Sequence, residues 1–251
     1  MMEERITSRK NPLVQQVRKL LTSRKARVEA GLFVSDGTKL LQEAAQYCKG
    51  LDTVFLSDGV EARVPEETRV IRVSKEVMEA ISPMENPQGA VFLCRLPEET
   101  PFRPEEGMLL LDGIQDPGNV GTILRTADAW NVPVALLEGC ADPYSHKVVR
   151  SSMGAVFRRP VVVTTWEQAA ASLRAEKIPI AVTALNSAAR DIRRARVGEM
   201  AVVIGSEGQG VRKEVLEGAD EALIIPMNPH CESLNAAVAA AAVMWQMDKV
   251  M

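Results

Sequence analysis

Three separated loops of the sequence carry polar side chains that can do chemistry, and each loop follows a short apolar run. These side chains comprise three amides or hydroxyls, one carboxylate set among glycines and one guanidinium. They are Asn119 and Arg125 in the first loop, Glu207 in the second, and Ser233 and Asn235 in the third. We expect a helix to begin in the first and third loops, and helix starts offer free backbone N–H groups that suit an anionic ligand. Glycines around the carboxylate let the backbone approach a ligand closely.

Each of these residues also has a purely structural interpretation when its loop is taken singly. Asn119 can be the N-cap of the helix that follows it, and Ser233 the N-cap of the last helix. Arg125 can pair with Asp128, three positions on along the same helix. The glycine loop can be a tight turn with Glu207 in solvent, and it matches neither the Walker nor the dinucleotide-binding spacing.

The elements that must position these loops are continuous apolar runs separated by helix-like stretches. The runs are Met108–Leu111, Val134–Leu137, Val161–Val163, Ile180–Val182, Met200–Ile204 and Ala222–Ile225. Such runs are typical of strands buried on both faces of a parallel sheet. Their alternation with helices predicts an open α/β sheet with its sites at the carboxyl ends of the strands.

Two of the predicted helices have an apolar face at helical spacing. The face is Val120, Ile123, Leu124 and Ala127 in the helix after Asn119, and Leu234, Ala237, Val238, Ala241 and Trp245 in the last helix. The last helix is rich in alanine over 236–242, which permits the close approach either of the core or of a second subunit.

Residues 97–106 combine prolines with acidic side chains and are predicted to be a linker. We therefore expect one domain over 1–96 and a second over 107–251. The expected pieces of the first are helices Pro12–Lys25 and Lys39–Tyr47 and strands Leu32–Ser35, Thr53–Leu56, Arg69–Val73 and Ala90–Arg95. This alternation predicts a small α/β domain.

Composition excludes several classes of protein and site. No apolar run approaches the roughly 18 residues of a membrane span, and the N-terminal residues lack the apolar stretch of a secretory signal, so we expect a cytoplasmic protein. The four cysteines form no C-x-x-C pair and there are two histidines, so we expect reduced thiols and no metal site. Aromatic residues make up 4%, which argues against a stacking platform for single-stranded nucleic acid.

The net charge of −3 does not by itself indicate a nucleic-acid partner, but the basic residues are clustered. The first cluster is Arg5, Arg9, Lys10, Arg18, Lys19, Arg24, Lys25 and Arg27, and the second is His146, Lys147, Arg150, Arg158 and Arg159. Such clusters can attract a phosphate backbone, and they can equally be solvated helix faces.

Taken together and in this order, the three loops resemble the motifs of the SpoU family of RNA ribose methyltransferases, in the SPOUT superfamily. The first matches D-P-x-N-x-G with a downstream arginine, the second G-x-E-x-x-G, and the third I-P-M followed by S-L-N. The likeness runs from Leu111 to about Ala240 and includes the segment Ser145–Pro160. The first domain resembles the substrate-binding domain of some members around Phe33–Gly37.

The resemblance implies the fold and the reaction. It implies an α/β-knot, in which a mostly parallel sheet is flanked by helices and the C-terminal segment forms a deep trefoil knot that binds S-adenosylmethionine. It also implies a smaller L30e-like α/β domain at the N-terminus and a homodimer with its cofactor sites near the subunit interface. The reaction would move a methyl group from S-adenosylmethionine to a ribose 2′-hydroxyl without a metal ion.

The resemblance also assigns roles to residues of this chain. The catalytic group would be Asn119, Arg125, Glu207, Ser233 and Asn235, and the cofactor would contact Leu185, Gly205, Ile225, Met227 and Leu234. Charge suggests Arg9, Lys10, Arg18, Lys147 and Arg150 as RNA-binding residues. The family has been thought to use the arginine as a base, but a guanidinium stays protonated, so we expect Arg125 to hold the adjacent phosphate and stabilise oxyanion charge.

One departure and three alternatives remain. Pro229 stands where family members commonly have glycine, and proline fixes φ and removes a backbone donor in the cofactor loop. We expect ribosomal RNA as substrate, with transfer RNA as an alternative. A catalytically inactive RNA-binding protein of the same fold is a second alternative, and a small-molecule enzyme with a nucleotide cofactor is a third.

Overall fold

The computed structural model describes residues 4–185, 189–228 and 230–247. They form two compact units. The first contains the residues up to Glu98 together with Asp142–Arg158, and the second contains Glu99–Ala141 and the residues from Arg159 onward.

The strands and helices alternate along most of the chain. The strands are β1 (Glu4–Ile6), β2 (Leu32–Asp36), β3 (Leu51–Ser57), β4 (Arg69–Val73), β5 (Ala90–Arg95), β6 (Met108–Asp112), β7 (Val134–Leu136), β8 (Val162–Val163), β9 (Ile180–Thr183), β10 (Arg190–Asp191), β11 (Ala201–Gly205) and β12 (Glu221–Ile224). The helices are α1 (Pro12–Thr22), α2 (Arg24–Ala30), α3 (Thr38–Tyr47), α4 (Lys75–Ile81), α5 (Pro117–Ala129), α6 (His146–Ser151), α7 (Ala155–Arg158), α8 (Trp166–Ala175), α9 (Lys213–Glu217) and α10 (Ala236–Gln246).

The first unit is built on a five-stranded sheet in the order β1-β4-β3-β5-β2. β1, β4 and β3 are parallel, and β5 runs antiparallel to both β3 and β2. The amphipathic helix α1 buries Val14, Val17 and Leu20 in a core that includes Phe55 and Ile71 of the sheet. The predicted small α/β domain is therefore confirmed.

The segment Asp142–Arg158 packs in the first unit although the sequence places it after β7. Its short helix α6 lies against β2, and α7 lies against α3. The buried guanidinium of Arg27 holds the segment, since Nη2 and Nε donate to Asp142 Oδ2 at 2.6 and 3.1 Å. The domain boundaries 1–96, 97–106 and 107–251 stay a prediction.

The second unit is built on a seven-stranded sheet in the order β10-β12-β9-β11-β6-β7-β8. Every neighbouring pair is parallel. Leu110, Ile180 and Val203 are fully buried in its core, where α8 contributes Trp166 and Leu173. The continuous apolar runs therefore predicted the parallel sheet correctly.

Three expectations about elements were wrong or incomplete. The helix expected over Pro12–Lys25 is two helices, because Ser23 ends α1 and its hydroxyl then accepts from Ala26 N at 3.1 Å to begin α2. The apolar face predicted for the last helix is only partly buried, since Ala237 is buried but Val238 and Trp245 are 54% and 63% exposed. The elements that the sequence did not predict include β1, α4 and β10.

Candidate active site

The three polar loops leave strands whose carboxyl ends lie at the same edge of the second sheet. β6 ends at Asp112, β11 at Gly205 and β12 at Ile224. β6 and β11 are neighbours, with Asp112 paired to Gly205, and β12 lies on the far side of β9. Because all these strands are parallel, their loops meet at one edge, as the sequence predicted.

A single carboxylate oxygen joins the three loops. Glu207 Oε1 accepts hydrogen bonds from Asn119 Nδ2, from Asn235 Nδ2 at 3.5 Å and from Ala236 N at 3.1 Å. Asn235 Nδ2 also donates to Asn119 Oδ1 at 2.9 Å. The structure thus brings together three of the five residues predicted to be catalytic, and both Glu207 and Asn235 are exposed where a substrate can reach them.

The residues that cap α5 and α10 are not the ones that the structural interpretation of the loops suggested. Asp116, and not Asn119, is the N-cap of α5, and its side chain accepts from Asn119 N at 2.8 Å. Asn119 therefore lies in the first turn with its amide available to Glu207. Asn235, and not Ser233, is the N-cap of α10.

Arg125 lies on α5 with its side chain exposed. Among the residues that the structure describes, it forms no hydrogen bond or ion pair. The pairing with Asp128 suggested by their spacing is absent, and Asp128 instead pairs with Arg159 at 3.4 Å. A guanidinium without an acidic partner keeps its donors for a phosphate or another anion.

The glycine loop after β11 closes on itself. Ser206 and Gly210 exchange two backbone hydrogen bonds of 3.1 and 2.9 Å. A Cβ at Gly205 would lie 2.1 Å from the carbonyl carbon of Gly210, so only glycine fits at this crossing, and Gly210 has a φ of +67°. The loop therefore exposes backbone groups to a ligand, while the side chain of Glu207 bonds to Asn119.

A pocket of about 540 Å³ opens beside this loop and lies wholly within the second unit. It is lined by all five residues predicted to contact the cofactor, namely Leu185, Gly205, Ile225, Met227 and Leu234. Glu207 and Ser233 of the predicted catalytic group also line it. Pro229, which interrupts the family pattern in the third loop, lies outside the described residues.

The pocket fits the class of cofactor that the resemblance implies. Its volume lies within the roughly 300–1,000 Å³ typical of small-molecule sites. Leu185, Leu216 and Leu223 supply apolar walls, and the loop supplies backbone groups that can hydrogen-bond an adenine. The carboxylates of Glu207 and Glu232 add negative charge beside a ligand that carries a sulfonium and an ammonium.

A charged cluster at the base of the glycine loop was missed by the sequence analysis. Arg212 donates to both carboxylate oxygens of the buried Asp112, through its backbone N at 2.7 Å and Nε at 2.6 Å. Arg212 Nη2 also donates to Glu138 Oε2 at 2.9 Å. Burial opposes the charge of Arg212, but the bonds to Asp112 and Glu138 raise its pKa above the usual value. The sequence did hold a signal for this cluster, because Asp112 is an acidic residue at the end of a strand whose other residues are all apolar.

The predicted RNA-binding residues all lie in the first unit and differ in their availability. Arg9 is engaged, since its Nε donates to Glu76 O at 2.8 Å and its Nη2 lies 3.5 Å from Glu79 Oε2. The other four, Lys10, Arg18, Lys147 and Arg150, have exposed side chains. Arg27, which belongs to the first basic cluster of the sequence, is buried in its ion pair with Asp142 and is structural.

The start of the second basic cluster lies against the helix that carries part of the first cluster. His146 Nδ1 lies 3.3 Å from Leu21 O, which brings the start of α6 to the end of α1. Burial, with the nearby charge of Lys147, lowers the pKa of His146 although Leu21 O and Asp36 oppose the change. The positive charge at this junction is therefore carried by the exposed lysines and arginines of both helices.

Three further findings concern metals, membranes and thiols. Among residues 4–185, 189–228 and 230–247, no group of histidine, cysteine and acidic side chains could hold a metal ion. Within the same ranges, no helix has the length and apolar character needed to cross a membrane. Cys48, Cys94, Cys140 and Cys231 are all free thiols.

Comparisons with known proteins match both units of the chain. The model of the SpoU rRNA Methylase family matches residues 107–245, and that of the MRM3-like substrate binding domain matches residues 11–91. A curated relative, the 23S rRNA (guanosine(2553)-2′-O)-methyltransferase RlmP of Bacillus subtilis, is 33% identical over 249 residues, covering 97% of this chain and 99% of the relative.

Solved structures agree over nearly the whole length. The AdoMet-bound rRNA methyltransferase of Sinorhizobium meliloti is 28% identical, with a TM-score of 0.84 and 97% of each chain covered. A putative RNA methyltransferase of the TrmH family from Porphyromonas gingivalis is 32% identical, with a TM-score of 0.78 over 93% of this chain and 96% of that one. The family match and the full-length relative agree, and the chain belongs to the SpoU rRNA methylase family.

Proposed function

We propose that this protein transfers a methyl group from S-adenosylmethionine to a ribose 2′-hydroxyl of ribosomal RNA. The observation that carries the proposal is the bonding of Glu207 to Asn119 and Asn235 at the rim of a pocket lined by five predicted cofactor residues. The choice of ribosomal RNA is supported by the name of the Bacillus subtilis relative and by the match of the N-terminal residues to a substrate-binding domain.

The reaction requires the enzyme to align the reacting atoms more than to activate the methyl donor. S-adenosylmethionine, when bound, supplies an electrophilic methyl group on a sulfonium. The ribose oxygen would bond to the methyl carbon as the carbon–sulfur bond breaks, the electron pair of that bond would stay on the thioether sulfur, and the hydroxyl proton would be released to solvent. Holding oxygen, carbon and sulfur in line supplies several kcal/mol of the barrier, and proton management adds roughly 10²–10⁴-fold.

Arg125 would act on the RNA. Its guanidinium can grip a phosphate next to the reacting ribose with two parallel hydrogen bonds and stabilise negative charge that develops on the oxygen. We assign it no role as a base, because guanidinium stays protonated across the working range of pH. The bonded amides of Asn119 and Asn235 would fix the position of the Glu207 carboxylate, which can accept a hydrogen bond from the ribose.

The RNA would dock on the first unit through the basic surface formed by Lys10, Arg18, Lys147 and Arg150. The contact of His146 with Leu21 supports this proposal, because it joins two helices that each carry exposed positive charge. Positive side chains on a chain of net charge −3 would attract phosphate locally without making the whole protein basic.

We also propose that the protein is a homodimer. Val238 and Trp245 on α10 leave 54% and 63% of their surface exposed, and the ring of Trp245 lies 5.7 Å from that of Trp130, which follows α5. A tryptophan exposed to this extent beside another is typical of an interface. Trp245→Glu is expected to convert a dimer to monomer in analytical ultracentrifugation, and a monomeric wild-type protein would refute the proposal.

The deep trefoil knot and the cytoplasmic location complete the proposal. The knot is supported by the path of the chain, which leaves β12 on one side of β11 and then packs α10 against α5, the helix that follows β6 on the other side. The cytoplasm is supported by four free cysteines, which suit a reducing compartment.

The test is methylation of 16S rRNA, 23S rRNA and transfer RNA with labelled S-adenosylmethionine, followed by mapping of the modified ribose. We expect label at one ribose of ribosomal RNA. Label in transfer RNA alone would show that the substrate is transfer RNA and not ribosomal RNA. Tight RNA binding with no affinity for S-adenosylmethionine in calorimetry would instead show an inactive RNA-binding protein and refute the enzymatic proposal.

A further inference from the structure

We propose that Asp112 and Arg212 are positioning residues, which hold the glycine loop 205–211 in the shape that receives the cofactor and presents Glu207. This inference rests on the proposed function. Neither residue belongs to the predicted catalytic or cofactor-binding groups, and neither lines the pocket. They would act through the loop between them.

The loop leaves and returns at the same residue, Asp112. Gly205, the last residue of β11, is paired with Asp112 in the sheet. Seven positions later the backbone N of Arg212 donates to Asp112 Oδ2 at 2.7 Å and its Nε donates to Oδ1 at 2.6 Å. Both ends of the loop are therefore fixed to one residue, and Arg212 binds it through both main chain and side chain.

The burial of Asp112 gives this contact its strength. The side chain of Asp112 is 0% exposed, so its carboxylate depends on protein donors for its hydrogen bonds. Both donors belong to Arg212, the residue that follows the loop. Release of Arg212 would leave a buried charge without compensation, and the closed form of the loop is strongly favoured as a result.

The same guanidinium extends to a third strand. Arg212 Nη2 donates to Glu138 Oε2 at 2.9 Å, and that oxygen also accepts from Trp166 N at 3.2 Å. Glu138 follows β7, and Trp166 begins α8. The return point of the loop is thus tied to the end of β6, to the segment after β7 and, through Glu138, to the start of α8, which is the support that a preorganised site requires.

The loop held in this way carries seven residues that line the pocket, from Gly205 to Val211. It also holds Glu207 Oε1 within reach of Asn119 and of Ala236 N. A loosened return point would therefore disturb cofactor binding and the Glu207 contacts together. It would leave the RNA-docking surface of the first unit unchanged.

The test uses Arg212→Ala and the milder Arg212→Lys, with Lys213→Ala as the matched control. Lys213 is the next residue in sequence, and its exposed side chain pairs with Glu217 at i,i+4. For each protein, calorimetry gives the Kd for S-adenosylmethionine, and steady-state methylation gives kcat and the KM for RNA. Hydrogen–deuterium exchange of the 205–211 amides without ligand reports on the loop itself.

For Arg212→Ala we expect the cofactor Kd to rise by at least about tenfold, since a hydrogen-bonded charge is lost. Exchange of the loop amides should become faster, and the KM for RNA should stay unchanged. Arg212→Lys keeps the positive charge but loses the planar guanidinium with its several donors. Its cofactor Kd and its loop exchange rates should lie between those of the wild type and those of Arg212→Ala. The control should match wild type in all three measurements.

The inference is overturned if Arg212→Ala lowers only the Tm while the cofactor Kd and the loop exchange, both measured well below that Tm, stay at wild-type values. If Arg212→Ala does not fold, the same outcome in Arg212→Lys overturns it. Absence of cofactor binding in the wild type would refute the proposed function instead, and the exchange measurement would still decide whether Arg212 holds the loop.

Discussion

Asn235 Nδ2 donates to Asn119 Oδ1 at 2.9 Å and so joins two helix starts that are 116 positions apart in the chain. The other atom of the same amide, Asn235 Oδ1, accepts from Ala237 N at 3.0 Å and from Val238 N at 3.3 Å. One side chain therefore caps α10 and also fixes the amide that bonds Glu207. These two roles can be separated by substitution.

Asn235→Ser is expected to keep the cap and lose the link to Asn119. A serine oxygen can still accept at the start of α10, so the Tm should stay near wild type. Its short side chain cannot replace the amide donor, and kcat should fall by about tenfold or more. Methylation kinetics and thermal unfolding measure the two effects.

The control for capping alone is Asn11→Ala. Asn11 caps α1 in the first unit, where its side chain accepts from Leu13 N at 2.9 Å. Loss of this cap should cost about 1 kcal/mol of stability and leave kcat unchanged. An Asn235→Ser variant with full kcat would show that the link between the two asparagines has no part in the reaction.

Arg125→Ala is expected to lower kcat about 10²–10³-fold without changing the affinity for S-adenosylmethionine, because this exposed guanidinium would act on the RNA. If the proton is removed by another group, the pH–rate profile should keep its break in the variant. Arg174→Ala is a suitable control, since Arg174 lies in the same unit and its side chain donates to the backbone at Gly218 O at 2.9 Å. Disappearance of the break in Arg125→Ala would support the arginine as base and contradict our assignment.

Neutralising the basic surface should weaken RNA binding in a salt-dependent manner. The quadruple change of Lys10, Arg18, Lys147 and Arg150 to glutamine removes up to four phosphate contacts. Each lost contact should reduce the slope of log affinity against log salt by about 0.7–0.9. Filter binding over a range of salt measures the slope, and calorimetry should show an unchanged cofactor Kd.

Lys213→Gln, an exposed lysine of the second unit, controls for the loss of charge. It should leave both the RNA affinity and the slope at wild-type values. Equal slopes for the quadruple variant and the wild type would show that these side chains are solvated helix faces, as the sequence also allowed.

Cys48 should be alkylated with a midpoint near neutral pH. A hydrogen bond with Cys94 is the main cause that lowers the pKa of the Cys48 thiol to about 7, although partial burial acts in the opposite direction. The thiolate is the reactive form, so the rate with iodoacetamide should rise through pH 7 and level off above it. Mass spectrometry of the modified peptide, in a Cys231→Ser background, gives the pH profile.

Cys94→Ala removes the partner and should move this midpoint to higher pH, because burial then acts without the hydrogen bond. The Cys94 thiol itself is buried, and this burial raises its own pKa, so it should not react over the same range. A midpoint that stays near 7 in Cys94→Ala would contradict the role of the hydrogen bond.

The sequence alone determined six of the seven strands of the second sheet, their parallel arrangement and the three loops that form the site. This is because continuous apolar runs and motifs such as Gly205–Gly210 are local patterns, and a strand buried on both faces leaves its signature in its own residues. The meeting of the loops at one edge then follows from the parallel direction of the strands.

Only the tertiary structure decided which side chains bond to one another. The alanine-rich helix α10 is apolar at nearly every position, so its sequence could not show that Ala240 and Met244 are buried while Trp245 is exposed. Arg27 looks like its basic neighbours until Asp142, 115 positions away, buries it in an ion pair. Such contacts form only when segments that are distant in the sequence come together. Tertiary packing decides which segments meet, and no local sequence pattern specifies it.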